Sequence, residues 1–187
     1  GMTMQRWRWS VAGAWLLSAI AHRWWSRAPA GSLARAVSDG MAHAALGLAT
    51  SMPAAWCAPS PRRLLAGALL GALAIDLDHI AAARSIRLRT CMTMPQRPIT
   101  HSLLIAAAVT ALAVRADRDL GTGFGLGVGS HLLRDLVTGG VPLIHPRRVV
   151  RLREHLALPL VAGLAAGGCW FVRSASTEAS SGAPVLG

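Results

Sequence analysis

The chain has no lysine, no asparagine and no tyrosine, and only eight carboxylates among its 187 residues. Charged residues make up 14% of it, little more than half the share of about 25% usual in soluble domains. Disordered chains are rich in charge and poor in apolar residues, so this balance excludes one. Cys57, Cys91 and Cys169 lie far apart and form no Cys-x-x-Cys pair, which excludes a zinc ribbon and predicts free thiols. There is no Gly-x-Ser-x-Gly element and no Cys/His nucleophile pattern, so covalent catalysis has no evident carrier. What is abundant is apolar: 53% of residues, or about 63% once the 19 glycines are added, against about 45–50% in ordinary domains. The basic residues are all arginine, 19 of them, for a net charge of +11.

Long stretches between charges read as helices apolar on every face. Gly40 to Pro61 is 22 residues without formal charge, interrupted only by His43. Leu64 to Ala83 is 20 residues whose ionisable groups are Asp76, Asp78 and His79. Pro98–Val114 and Leu156–Val172 supply 17 residues each, and Leu120–Gly139 is apolar and glycine-rich up to Arg134 and Asp135. A spanning helix needs about 20 such residues, so five segments meet or approach the requirement. A sixth, Trp9–Ala21, resembles a signal peptide's apolar region, but Trp24 and Trp25 flanked by Arg23 and Arg27 favour a retained, anchored helix. The expected fold is an all-α integral membrane bundle of five or six transmembrane helices. Residues 1–40 form an N-terminal helix and basic linker, 41–173 the membrane-embedded domain, and 174–187 a Ser/Gly/Ala/Pro-rich loose tail. Glycines at alternate positions from Gly121 to Gly129 include small-xxx-small spacing, which suits close helix packing.

On this topology the ionisable residues gather at one end. His43 begins helix 2, Asp76, Asp78 and His79 end helix 3, His101 begins helix 4, and His131 and Asp135 close helix 5 with His145 just beyond. Ionisable groups at membrane depth are costly, and by default they face a bundle interior or a water-filled cavity as functional groups. His131 and Asp135 are i, i+4 and share a helix face. Imidazole with carboxylate is the donor mix of zinc and other divalent-metal sites, and bundles build such sites from several helices. Taken singly, each residue also has a plainer explanation: Asp78 as a helix cap or partner of Arg84 or Arg87, Asp135 as a partner of Arg134.

The segments MAHAALG (41–47), LLGALAIDLDH (69–79), QRPITHSLL (96–104) and GVGSHLLRDLVTGGVPLIHP (127–146) resemble the YdjM-like family of bacterial inner-membrane proteins. The resemblance implies a metal-dependent hydrolase. The family's elements correspond here to His43, to Asp76/Asp78/His79, to Arg97/Thr100/His101/Ser102, and to Ser130/His131/Asp135 ahead of Gly140-Val141-Pro142. Two positions depart from it: Ile75 stands where a proline usually precedes the first aspartate, and Gln96 where a histidine precedes the arginine. A more remote similarity to zinc-dependent phospholipase C suggests phosphoester chemistry, as analogy only.

The expected site is therefore one or two divalent ions, zinc first among them, held by His43, Asp76, His101, His131 and Asp135, with a metal-activated water as nucleophile. Asp78 is the candidate general base or a bridging ligand. His79 is a proton donor or a group behind the ligands, and Arg97 grips a phosphate through its planar fork. Thr100 and Ser102 read as helix-start residues. The expected substrate is a lipid-linked or membrane-proximal phosphoester. Two rival readings stay open: a regulatory scaffold binding a soluble protein partner around a structural metal, and a metal- or proton-coupled transporter, which should carry its polar residues at the bilayer midplane. The arginines at 147–153 suit anionic lipid headgroups, not nucleic acid. Eleven arginines lie in the site-side loops and seven opposite, which predicts a site facing the cytoplasm.

Overall fold

Ser32, in an extended conformation, accepts the Arg35 N–H on its hydroxyl at 3.2 Å, and this cap ends the first arginine-bearing linker in a helix start. The computed structural model describes residues 4–94, 97–142 and 148–181. Helix α1 (Met4–Arg27) precedes the cap and α2 (Leu33–Cys57) follows it. Proline opens α3 (Pro61–Ala74), where its missing N–H costs nothing. The apolar run expected as one helix to Ala83 is interrupted by a 3-10 turn at Ile75–Leu77, then resumes as α4 (Asp78–Ala83). It closes on Arg84, whose φ of 48° is left-handed. Short α5 (Leu88–Met92) and a 3-10 turn at Ile99–His101 lead to α6 (Leu103–Ala116), capped by Ser102 accepting the Ile105 N–H at 3.3 Å. Asp117 does the same for α7 (Arg118–Thr138), accepting the Leu120 N–H at 3.0 Å. A small hairpin follows, β1 (Val141–Pro142) antiparallel to β2 (Val149–Val150), with Val141 opposite Val150. The chain ends in a 3-10 turn at Glu154–Leu156 and α8 (Ala157–Ser181).

Helix α7 is the centre, packed against α3, α2, α6 and α8. Its contact with α3 is backbone against backbone. A Cβ on Gly123 or Gly127 would overlap the carbonyls of Leu64 and Ala68, and one on Gly67 or Gly71 would overlap those of Leu120 and Phe124. The small-xxx-small spacing thus appears on both helices and draws their axes together. At the end remote from Asp76, the Ser60 N–H donates to Asp119 Oδ2 at 2.7 Å and Arg63 pairs with Asp117, fixing the register of α3 on α7.

The core is rich in small and polar residues: Ala42, Ala45, Ala49, Ala68 and Ala72 are buried beside Ser51, Thr50, Ser130, His43, His101, His131 and Asp135, with Leu64, Leu126 and Leu132 supplying its larger apolar members. Many large apolar side chains point outward, among them Leu70, Leu103, Leu104, Leu112, Leu158 and Trp170. A water-soluble protein sorts its residues the other way. Among the described residues, two helical segments are long and apolar enough to cross a bilayer, Pro61–Ala83 and Glu154–Ser174, at mean hydropathies of 1.7 and 1.6, while α6 is apolar but has 14 residues. Of the five or six spans expected from the sequence, length and composition support two. Helices α2 and α7 are long enough, but both set polar groups and glycine among the alanines, leucines and valines of their buried faces.

Several boundaries differ from the sequence expectation. Helix α1 is 24 residues long, not 13, and the divide expected at residue 40 falls inside α2. The segment expected to be loose from Ser174 continues α8 to Ser181. Its hydroxyls bond back onto the helix, Ser174 Oγ to the Trp170 carbonyl at 3.0 Å and Thr177 Oγ1 to the Ser174 carbonyl at 2.6 Å. Cys57, Cys91 and Cys169 are free thiols.

Candidate metal centre

Four helical neighbourhoods converge at one end of the bundle. The 3-10 turn after α3 presents Asp76, α4 opens with Asp78 and His79, the turn before α6 ends in His101, and α7 supplies His131 and Asp135 from one face. His131 Nε2 lies 3.5 Å from both Asp76 Oδ1 and Asp135 Oδ2. His101 Nε2 lies 3.5 Å from Asp76 Oδ1 and 3.9 Å from Asp135 Oδ2. Three overlapping trios, His43/Asp76/His131, Asp76/His79/His101 and His101/His131/Asp135, each bring their donor atoms within 4.8 Å of one another.

The outer nitrogens of the two central histidines fix which nitrogen is free. His131 Nδ1 sits 2.8 Å from the Ala72 carbonyl oxygen, which only accepts, so the proton is on Nδ1 and the Nε2 lone pair faces the cluster. His101 Nδ1 sits 3.1 Å from Asp78 Oδ2, and the same assignment follows. Metal-ligating histidines are held in this way, with the second nitrogen donating to a carbonyl or carboxylate. Both Nε2 atoms are buried and have no hydrogen-bond partner. Two orphaned imidazole nitrogens facing two carboxylates incur a desolvation cost that a cation removes. The residues therefore fit a divalent metal by their donor chemistry.

His43 joins from behind. Its ring stacks on that of His131 at 3.6 Å, but its Nε2 accepts from Arg134 Nη1 at 2.8 Å, while lying 3.7 Å from Asp135 Oδ1. Asp78 points at two imidazoles, His101 and His79, the latter 3.1 Å away; Arg84 and Arg87 are not its partners. Asp135 pairs with Arg97 Nη1 at 2.8 Å and not with its neighbour Arg134. Ser102 caps α6, as a helix-start residue should. His145 and Gln96 lie outside the described residues.

Two members of the cluster escaped the sequence reading. Arg134, buried, donates to Asp39 Oδ1 at 2.6 Å as well as to His43. It also sits 5.1 Å from the Trp25 ring, which Arg35 approaches at 4.3 Å. Trp25, read as an interfacial anchor, is thus a cation–π platform beside the site. The signal for Asp39 was present in its i, i+4 spacing to His43, but the helix was expected to start at residue 40. A cavity of about 570 Å3 is lined by Asp39, Asp76, His79 and Arg97 together with Leu73, Ile80 and Met92.

Over residues 39–183, most of the chain, the sequence matches the family described as YdjM inner membrane protein. The chain belongs to that family. The match starts at Asp39 and takes in every ionisable residue of the cluster, while Trp25 and Arg35 lie ahead of it. It extends beyond the matched motifs to include α8, so the apolar exterior and the polar interior both belong to a YdjM inner-membrane protein. No curated protein and no solved structure matches the chain.

Proposed function

We propose that this YdjM-family protein is a metal-dependent hydrolase of a lipid-linked or membrane-proximal phosphoester. The reading is carried by the two buried, unpartnered Nε2 atoms of His101 and His131 facing Asp76 and Asp135. Asp76, His101, His131 and Asp135 would hold the cation, with His43 adjoining, and zinc suits that donor set. A divalent metal there supplies Lewis acidity toward a phosphoryl oxygen.

The remaining residues divide the other work. Asp78 acts through His101, orienting its ring by accepting from Nδ1, with His79 beside its other oxygen. His79 lies on the cavity wall with Nδ1 toward Asp78 and Asp76, leaving Nε2 as the nitrogen to deliver a proton to a leaving oxygen. Arg97 balances Asp135 and lines the same cavity, where its fork can receive a phosphate. The apolar wall of Leu73, Ile80 and Met92 suits an acyl or prenyl portion of the substrate. Asp76, Asp78, His79 and His101 lie at helix ends and 3-10 turns, which disfavours a transporter, although His43 sits near the middle of α2 and not at its start as the sequence suggested. The arginine distribution supports a site on the cytoplasmic face of the inner membrane.

Elemental analysis of purified protein, followed by a screen on phospholipid and phosphomonoester substrates, tests the reading. The expected result is bound divalent metal and metal-dependent phosphate release. Full metal content in an Asp76→Ala, His131→Ala double variant would exclude the shared site, and metal without turnover on any phosphoester would exclude the hydrolase.

A further inference from the structure

The far end of the bundle carries a second pair of reactive side chains. Cys57 is the last residue of α2 and Cys169 lies within α8, and their sulfurs are 3.8 Å apart. Both are half-buried and therefore reachable. Arg173, one turn beyond Cys169, donates its Nε–H to Cys57 Sγ at 3.3 Å, offering a charge partner to the thiolate, which is the attacking species in exchange. The third cysteine differs in each respect: Cys91 is buried and donates to the Ser85 carbonyl at 3.0 Å. Fourteen residues of α2 separate Cys57 from His43, a distance on the order of 20 Å, so the pair is independent of the metal cluster.

We propose that Cys57 and Cys169 form an oxidisable dithiol, the site of an intramolecular disulfide that staples α8 to α2. The co-reactant is a small or protein disulfide. One cysteine thiolate attacks a sulfur of that disulfide, forming a mixed disulfide and releasing one thiolate. The second cysteine thiolate then attacks the protein-bound sulfur, forming the Cys57–Cys169 bond and releasing the other thiolate. The two cysteines lose two electrons and two protons, and the oxidant becomes two thiols. Closing the bond brings the sulfurs from 3.8 Å to about 2.05 Å, a side-chain movement. The closed loop is 112 residues long and encloses Asp76, His101, His131 and Asp135. Among the described residues, α8 is the long helix after α2 that gives nothing to the metal cluster. It packs on both α2 and α7, with Leu126 of α7 against Gly168, and a covalent tie to α2 would reinforce the first of these contacts.

The test is thiol counting on full-length protein in detergent, reduced with dithiothreitol or oxidised with glutathione disulfide, then denatured and labelled with a polyethylene-glycol maleimide. The reduced protein should take three adducts and the oxidised protein one, at monomer mobility. Peptide mapping without reductant should recover Cys57 joined to Cys169. The oxidised form should melt several degrees above the reduced one, a difference absent from Cys57→Ser and Cys169→Ser. Three adducts after oxidation, separate glutathione adducts on the two cysteines, or a disulfide between two chains would each overturn the proposal.

Discussion

Asp78 and Arg134 show how much of the centre depends on residues that would not touch a metal. Asp78 fixes the His101 ring by accepting from Nδ1, and supports of this kind are worth 10- to 100-fold, roughly, in metal affinity. Asp78→Asn should therefore bind metal about 10- to 100-fold more weakly with unchanged helix content, checked by metal titration and circular dichroism. Arg134 holds Asp39 and His43 together from inside the bundle. Arg134→Met leaves a poorly solvated carboxylate without its cation and should destabilise the protein by about 3 kcal/mol. The double variant with Asp39→Ala should lose less than the sum of the two single changes, as read by thermal melting in detergent. Arg134 was legible as a charge in an apolar helix, but its partner was not. Adjacency suggested Asp135, whereas the helix turns neighbouring side chains about 100° apart and gives Asp135 to Arg97.

At the scale of elements, the close seam of α3 and α7 positions the donors. Asp76 follows one helix and His131 sits on the other, so their 3.5 Å separation is set by backbone approach. Gly127→Val would drive a side chain into the Ala68 carbonyl and should cost about 3 kcal/mol or more, with metal binding lost in parallel. Gly163→Ala is the control, because nothing lies within 4 Å of the added methyl. It should be neutral or stabilise α8 by up to about 1 kcal/mol. The glycine spacing on α7 could be read from sequence, because a repeat of small residues has one evident use. Its counterpart on α3, Gly67 and Gly71, hid among alanines and leucines of an ordinary apolar run. The 3-10 turn at Ile75–Leu77 was equally hidden, since the proline that would mark it is absent and nothing else in Ala-Ile-Asp-Leu announces a break.

For the molecule as a whole, the sorting of side chains is the main result: many leucines and tryptophans outside, and alanine, serine, histidine and aspartate prominent within, beside Leu64, Leu126 and Leu132. The protein should remain in the membrane pellet after alkaline carbonate extraction. A cysteine placed at Leu112 or Leu158, 68% and 65% exposed respectively, should resist a membrane-impermeant maleimide in intact membranes and react after solubilisation. Composition made the class legible, and the scarcity of carboxylates made Asp76, Asp78 and Asp135 conspicuous. The number of spans was less legible. Helices α2 and α7 mix polar groups and glycine with alanine and leucine on their inward faces, and a hydropathy average cannot separate an inward face from an outward one.

The contact between Asp39 and Arg134 joins residues 95 positions apart, and the donors around it come from four separate stretches of chain. None of those stretches alone holds enough ligands to retain an ion. Until α7 has been synthesised and threaded in beside α3, a nascent chain has no such centre at all. On the proposed reading metal uptake would therefore be a late event in biogenesis, and a chain carrying metal would, by that fact, have completed the assembly of its bundle.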